Sequence, residues 1–506
     1  MTSATGTLRL PAAGEGLAAA WFFLGVCTLA AIILLSPFRA ARYPAMADYP
    51  NHLARAQIIV DAELAGREHP YYQTRQALVP NLALDALVPL GVRAGLSTND
   101  ALRLFAALAL LMPLAGAIAM GFALQGRVPW LALLALPLGY SRYYAWGFLN
   151  YFFSLGVAFL GFALWVVLRD SRSRWAPLVL TVAGMLALLS HLAGFAVLVV
   201  LIACYEASRW RGLTRHVVAA GAAVAICACA YLIFFDRQLP LTLAWEEGAL
   251  IKARNFASPF VSYQLLPGMV LAAGWAAALL WAWRQRALHM VPGWRLPIAA
   301  FALLVVLLPS MAMNSYYLTA RLVIVLPLVF LAYARFDAGP RAQAALAVVV
   351  LGLVTLKIGE VRREWRRFSD DVARYREAFR ALPMGARVAS VAFATGAGIV
   401  PARHAAAFAV TDRDAFIPNF YAFPFNGESV AFREPVRALT ARSEKDHVIY
   451  GRGDGEPPWG LYCQYYDALF VLQLNERAAP LPPCARALVR SHDFALYRLS
   501  PSAAPR

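Results

Sequence analysis

Charge is scarce in this chain. Of its 506 residues 15% are charged and 60% are hydrophobic, whereas a soluble protein carries about 25% charged residues. The polar shell that a water-soluble enzyme of this length needs is missing. Glycine and proline follow no period and apolar residues dominate, which excludes collagen, coiled coil and disorder. The sequence contains no Walker motif, no nucleotide-type glycine loop, no zinc spacing of Cys or His and no Gly-x-Ser-x-Gly elbow. An ATP-driven machine and an outside serine hydrolase therefore lack support. Acids are scarcer than bases, 29 against 46, for a net charge of +17. The arginines sit mainly in short loops between apolar runs, with no separate basic tail or recognition helix, so the charge speaks for membrane topology and not for nucleic acid.

What is present in abundance is apolar sequence in long runs. Runs able to cross a ~30 Å hydrocarbon core fall at roughly 17–36, 101–124, 147–168, 192–206, 214–235, 265–283, 296–313, 320–334 and 342–357, with shorter ones at about 128–139 and 176–190. The expectation is a polytopic α-helical membrane protein of about 11 transmembrane helices with a small C-terminal α/β periplasmic domain. Every second short loop is basic: Arg127; Arg169, Arg172 and Arg174; Arg209, Arg211 and Arg215; Arg284, Arg286 and Arg295; Arg335 and Arg341. The positive-inside bias then sets the N-terminus in the cytoplasm of a bacterial inner membrane. Residues 1–357 form the membrane module, with a long first outside loop at 37–100, and 358–506 form the outside domain. The first run is read as an uncleaved anchor, and 81–95 as a helix in or near the outer interface.

The tail changes composition. Glu360 to Asp371 is a charged helical stretch leaving the membrane. Arg387–Phe393, Ala468–Leu474 and Phe494–Leu499 read as strands, and Gly451–Pro458 as turn-rich. Cys463 and Cys484 are a reasonable disulfide pair in an oxidising compartment, at ~3 kcal/mol, or two free thiols if the orientation is inverted. Cys27, Cys204, Cys227 and Cys229 read as small buried hydrophobes.

Ionisable groups at the rim of a membrane are costly, so each is a candidate site. The densest cluster is Asp48-Tyr49-Pro50-Asn51-His52, followed by Arg55, at the head of a helix over 52–64 whose apolar face would rest on the bilayer. The plain alternative is that Asp48 is an N-cap. A second cluster runs from Tyr140 to Tyr151 and holds Arg142, Tyr143, Tyr144, Trp146 and Asn150; an interfacial aromatic belt explains its tyrosines. His191 at the turn between two spans reads most simply as a packing residue. Arg321, in Asn314-Ser-Tyr-Tyr-Leu-Thr-Ala-Arg321 with Tyr317, suits a phosphate or snorkels to headgroups.

This pattern resembles the GT-C superfamily of membrane glycosyltransferases. The resemblance rests on an acid just outside span 1, a long first outside loop, Asn99-Asp-Ala-Leu-Arg103 leading into span 2, a short second outside loop and an outside C-terminal domain. It implies transfer of a sugar from a polyprenyl-phosphate-linked donor to a glycan, lipid or protein acceptor. Asp48 stands at the family's first-loop acid, a general base or a metal ligand depending on branch. The second outside loop lacks the further acid of the metal-using branches, so a divalent metal is disfavoured and no cofactor is expected. In this reading Asp48 and His52 are catalytic, and Arg142 and Arg321 bind the donor phosphate. Tyr49, Asn51, Arg55, Tyr144, Asn150, His191 and Tyr317 line the substrate site. Loop 236–264, with Glu246, Glu247, Lys252 and Arg254, contributes a groove. Competing readings are a flippase of lipid-linked saccharides, against which no inverted repeat is found, and a membrane O-acyltransferase using His191.

Overall fold

A computed structural model of the chain describes residues 15–171, 173–210, 212, 214–236, 242–245, 248–312, 315–393, 399–422, 429–434, 436, 449–450, 459–473 and 481–500. It opens with α1 (Glu15–Ala40), and the first loop carries α2 (Tyr49–Leu64) and α3 (Ala83–Arg93). Then come α4 (Thr98–Gln125), a 3-10 helix over Trp130–Leu138, α5 (Arg142–Trp146), α6 (Leu149–Asp170), α7 (Ala176–Ser190), α8 (Leu192–Ser208) and α9 (Arg215–Phe234). Next are α10 (Ala249–Asn255), α11 (Leu265–Arg284), α12 (Arg295–Leu307), α13 (Leu318–Val323) and α14 (Val325–Tyr333). The long α15 (Pro340–Phe379) leads out to α16 (Ala407–Arg413) and α17 (Trp459–Tyr465).

Among the described residues six helices (α1, α4, α6, α9, α11 and α15) are long and apolar enough to cross a membrane. Shorter apolar helices are α7, α8, α12 and the stretch Leu318–Tyr333. Lipid-facing character shows in large exposed apolar side chains such as Trp21 and Ile32 on α1, Leu265 and Leu266 on α11, and Val348 on α15. The short run expected at 128–139 is not a span. Trp130–Leu138 is a buried 3-10 helix; at about 2 Å per residue it is too short for a ~30 Å core, and Pro129 precedes it while Pro137 lies within it.

The first loop departs from expectation in one respect. α2 does not rest on a bilayer surface: Tyr49 to Ala56 and Ile58 to Val60 are buried, because α3, α4 and α16 pack against it. Residues Tyr72–Thr74 pair antiparallel with Val430–Phe432, so the first loop and the C-terminal part share a small sheet. The runs Val388–Phe393, Ala468–Gln473 and Phe494–Leu499 are neighbours in a five-stranded sheet, completed by Ala485–Arg490 and Ile449–Tyr450. The first two are parallel and the third antiparallel. Tyr375 and Phe379 at the end of α15 pack edge-on against Phe470 at 5.5 and 5.0 Å. A disulfide joins Cys463 of α17 to Cys484, with Cα atoms 5.9 Å apart. The turn-rich Gly451–Pro458 and the groove residues Glu246 and Glu247 lie outside the described residues.

Candidate active site

Asp48 is the N-cap of α2 by position, but its side chain makes no cap hydrogen bond. The chain around it is fixed from elsewhere. The Ala47 and Asp48 N–H groups donate to the carbonyls of Ala145 and Trp146, at 3.2 and 2.9 Å. Gly147, at φ +103°, ends α5 so close that a Cβ there would stand 2.9 Å from Asp48 Cβ, so only glycine fits. The freed carboxylate meets the C-terminal part instead. The Tyr421 hydroxyl donates to Asp48 Oδ1 at 2.7 Å. His404 Nε2 lies 3.3 Å from the Tyr421 oxygen and 3.6 Å from Asp48 Oδ1. A phenol that donates to the carboxylate can accept from an imidazole N–H, so His404, Tyr421 and Asp48 form a proton-ordered chain.

Asp48 is 6% exposed. Burial pushes its carboxyl up to about 6, against the lowering action of the Tyr421 hydrogen bond and of Arg403, Arg321 and Arg55. Burial thus favours the protonated carboxyl more than water does. His52 presents Nε2 to the Gly147 carbonyl at 2.9 Å, which makes Nε2 the protonated nitrogen. It therefore braces the glycine behind Asp48 and makes no contact of its own to the carboxylate. Burial, helped by Arg55, lowers the His52 imidazole to about 3.

Two cations flank the carboxylate. Arg403, from the C-terminal part, lies 5.3 Å over the Trp146 ring. Arg321 lies 4.6 Å over Phe148, and its carbonyl accepts from the Tyr151 hydroxyl at 2.6 Å. Arg321 Nη1 stands 3.1 Å from His191 Nε2. The Ala193 N–H lies 3.0 Å from His191 Nδ1, at the N-cap of α8; a neutral imidazole accepts at one nitrogen only, so the Ala193 N–H and the Arg321 N–H compete for the ring. Ser154 fixes this turn by sharing its one hydroxyl proton between the Ala187 and His191 carbonyls, at 2.8 and 3.1 Å. Tyr317 opens α13 at φ +62°, a costly backbone for a tyrosine, and its ring contacts Trp146 at 5.3 Å and Phe148 at 6.3 Å.

Most of the remaining candidates have structural partners. Arg55 and Asp85 form a buried ion pair at 2.9 Å, and the Ser429 hydroxyl donates to Asp85 Oδ2. The Tyr49 hydroxyl donates to Asn99 Oδ1 at 2.8 Å and that of Tyr144 to the Ala106 carbonyl at 2.8 Å. Asn150 accepts the Leu84 N–H at 2.8 Å and donates to Asn81, holding the start of α3. Tyr140, Tyr143 and Tyr144 are buried and form no interfacial belt. Arg142 opens α5 half-buried, its N–H donating to the Ser258 carbonyl at 2.9 Å. Asn51 is fully buried, and neither its amide oxygen nor its amide nitrogen has a partner among the described residues. Lys252 Nζ donates to the Val306 carbonyl at 2.7 Å.

Sequence reading missed Arg403, His404 and Tyr421. The one available signal was three chemically capable side chains between the strand at 388–393 and the rest of the tail. Among the described residues no three His, Cys, Asp or Glu side chains gather as a metal set.

One similar solved structure is the single-particle cryo-EM structure of a mutant of the arabinofuranosyltransferase AftD from Mycobacteria. It aligns with a TM-score of 0.45 and 13% identity, over 95% of this chain and 41% of that one. The chain therefore spans less than half the length of that protein. No protein-family model matches the chain, and no curated protein matches it.

Proposed function

We propose that this chain is a membrane glycosyltransferase of the GT-C type, moving a sugar from a polyprenyl-phosphate carrier to an acceptor hydroxyl at the outer face of a bacterial inner membrane. The observation that carries the reading is the buried Asp48 carboxylate. It bonds to a phenol, and two guanidinium groups, on the Trp146 and Phe148 rings, act on its charge. In the reaction the acceptor oxygen attacks the anomeric carbon while the bond from that carbon to the carrier phosphate breaks. The acceptor's proton goes to Asp48, and the leaving phosphate keeps the electron pair. A general base with a carboxyl near 6 suits neutral pH. The growing phosphate charge is met by Arg321. Attack from the face opposite the phosphate inverts the centre. Trp146 and Tyr317 supply apolar faces of the kind on which sugar rings rest.

The topology belongs to this reading: N-terminus cytoplasmic, residues 1–357 in the membrane, 358–506 in the periplasm. Arg403, His404 and Tyr421 reach Asp48 from that second part, so in this reading it completes the site as well as selecting the acceptor. The chemistry described needs no cofactor; one carboxylate among guanidinium groups is a poor donor set for a divalent cation. His191 as an acyltransferase base is disfavoured, because Nδ1 caps α8 and Nε2 faces a cation. The test is an assay of transfer from a polyprenyl-phosphate-linked sugar by the reconstituted chain. Transfer that disappears in Asp48→Asn with folding intact supports the reading, and transfer unaffected by Asp48→Asn refutes it.

A further inference from the structure

One face of α15 changes character along its length. Its exposed positions recur every three or four residues, at Val349, Gly352, Leu356, Gly359, Arg363, Arg366 and Asp370, with Val348 and Arg367 beside them. Side chains at that spacing stand above one another on a helix, so the apolar and basic parts form a single stripe. Arg363 comes seven residues after Leu356, about 10 Å further along the axis. That is headgroup depth, just beyond the hydrocarbon. α1 repeats the arrangement: Ile32 is exposed, and Arg39 follows seven residues later, with Arg42 exposed beyond it.

The two basic ends are side by side. Phe38 packs edge-on against Trp365 at 4.8 Å. The Tyr43 N–H donates to Ser369 Oγ at 2.9 Å, and Ser369 Oγ donates back to the Tyr43 carbonyl at 3.1 Å. Arg39 and Arg42 thus flank the turns that carry Arg363, Arg366 and Arg367. The nearby acids are mostly engaged, Asp371 with Arg374. Glu360 is buried with Lys357, Glu364 accepts from Gln264 at 2.8 Å and lies 4.0 Å from Arg367, and Asp100 is held by Arg103. Asp370 is exposed.

We propose that Arg39, Arg42, Arg363, Arg366 and Arg367 bind the phosphate headgroups of anionic phospholipids where α1 and α15 leave the apolar zone. A soluble anion would need the guanidinium groups alone. The apolar stripe directly below them, running down the same helix faces, is what fits acyl chains. This inference stands independently of the transfer reaction.

The test is lipid retention by the full chain reconstituted in mixed phosphatidylcholine–phosphatidylglycerol nanodiscs, read by native mass spectrometry after release. The wild-type chain retains phosphatidylglycerol in preference to phosphatidylcholine. The triple variant R363Q/R366Q/R367Q loses this preference, by about fivefold per arginine, and the loss shrinks in high salt. R363K/R366K/R367K keeps most of it. Equal retention by wild type and the glutamine variant overturns the proposal. So does a lysine variant as defective as the glutamine one, or displacement of the lipid by inorganic phosphate at the wild-type site. If the triple glutamine variant fails to fold, R363Q alone carries the same test with a single step of loss.

Discussion

Two carboxylates in the first loop make an instructive pair. Asp48 and Asp85 are equally hidden, 6% and 7% exposed, and each is tied to the C-terminal part by a hydroxyl, from Tyr421 and Ser429 respectively. They differ in their cation. Asp85 touches a guanidinium, Arg55, at 2.9 Å. Asp48 touches none at that distance; Arg403, Arg321 and Arg55 act on it through space. A buried charge in direct contact with its counter-ion is a structural clamp, and breaking the contact strands a charge. A buried carboxylate that depends on more remote cations takes up a proton easily. The Asp85 clamp positions the loop, and in the proposed reaction the chemistry falls to Asp48.

The largest expected effect breaks the comparison at Asp48. Asp48→Asn lowers transfer by about 10³-fold, as for loss of a positioned base. It does so without loss of stability. The native carboxyl, at about 6, binds its proton more tightly than the ordinary 3.8. That contribution to stability is therefore fully present below about pH 4 and is lost as pH rises through 6. Removing the charge restores it, so thermal melting in detergent at pH 7 shows the variant as stable as wild type or more so. A variant that melts earlier would place Asp48 with Asp85. Next in size is Arg321→Gln, which lowers turnover by about 10²-fold by removing a donor to the leaving phosphate; an unchanged turnover number would leave only a packing role over Phe148. Asp85→Asn gives the contrasting result. It costs about 3–5 kcal/mol of stability by leaving Arg55 uncompensated, read as a fall in melting temperature. The protein that stays folded keeps its turnover.

How much of this was legible in the sequence follows from how local each signal is. Helix bounds were, because an apolar run carries its own evidence: the runs at 101–124 and 147–168 became Thr98–Gln125 and Leu149–Asp170. The run at 128–139 misled because hydrophobicity does not separate a buried 3-10 segment from a crossing helix. The Asp48 cluster stood out because its polar residues are consecutive. Its partners did not. Tyr421 is 373 positions from Asp48, and no periodicity links them. α2 was misplaced for a related reason. Its polar side looked solvent-facing, and only the fold supplies α16 and the Tyr72–Thr74 pairing that cover it.

The smallest effect sharpens the comparison best. The hydrogen bond from Tyr421 lowers the Asp48 carboxyl, opposing burial, so Tyr421→Phe raises it further. The acid limb of kcat/KM, expected near pH 6 in the wild type, moves to higher pH, while the rate on the plateau above it changes little. Below the limb the variant is slower than wild type, and the gap closes as pH rises. His52 adds no limb in this range, since its imidazole, at about 3, stays neutral. A His404→Gln profile distinguishes the two ways of reading the chain of bonds. If His404 acts only through the Tyr421 oxygen, its replacement shifts the limb in the same direction by less, and combining it with Tyr421→Phe adds nothing. Additive shifts would mean that His404 acts on Asp48 directly across their 3.6 Å separation. A limb that stays in place in both variants would assign the titration to some other group and take the base role from Asp48.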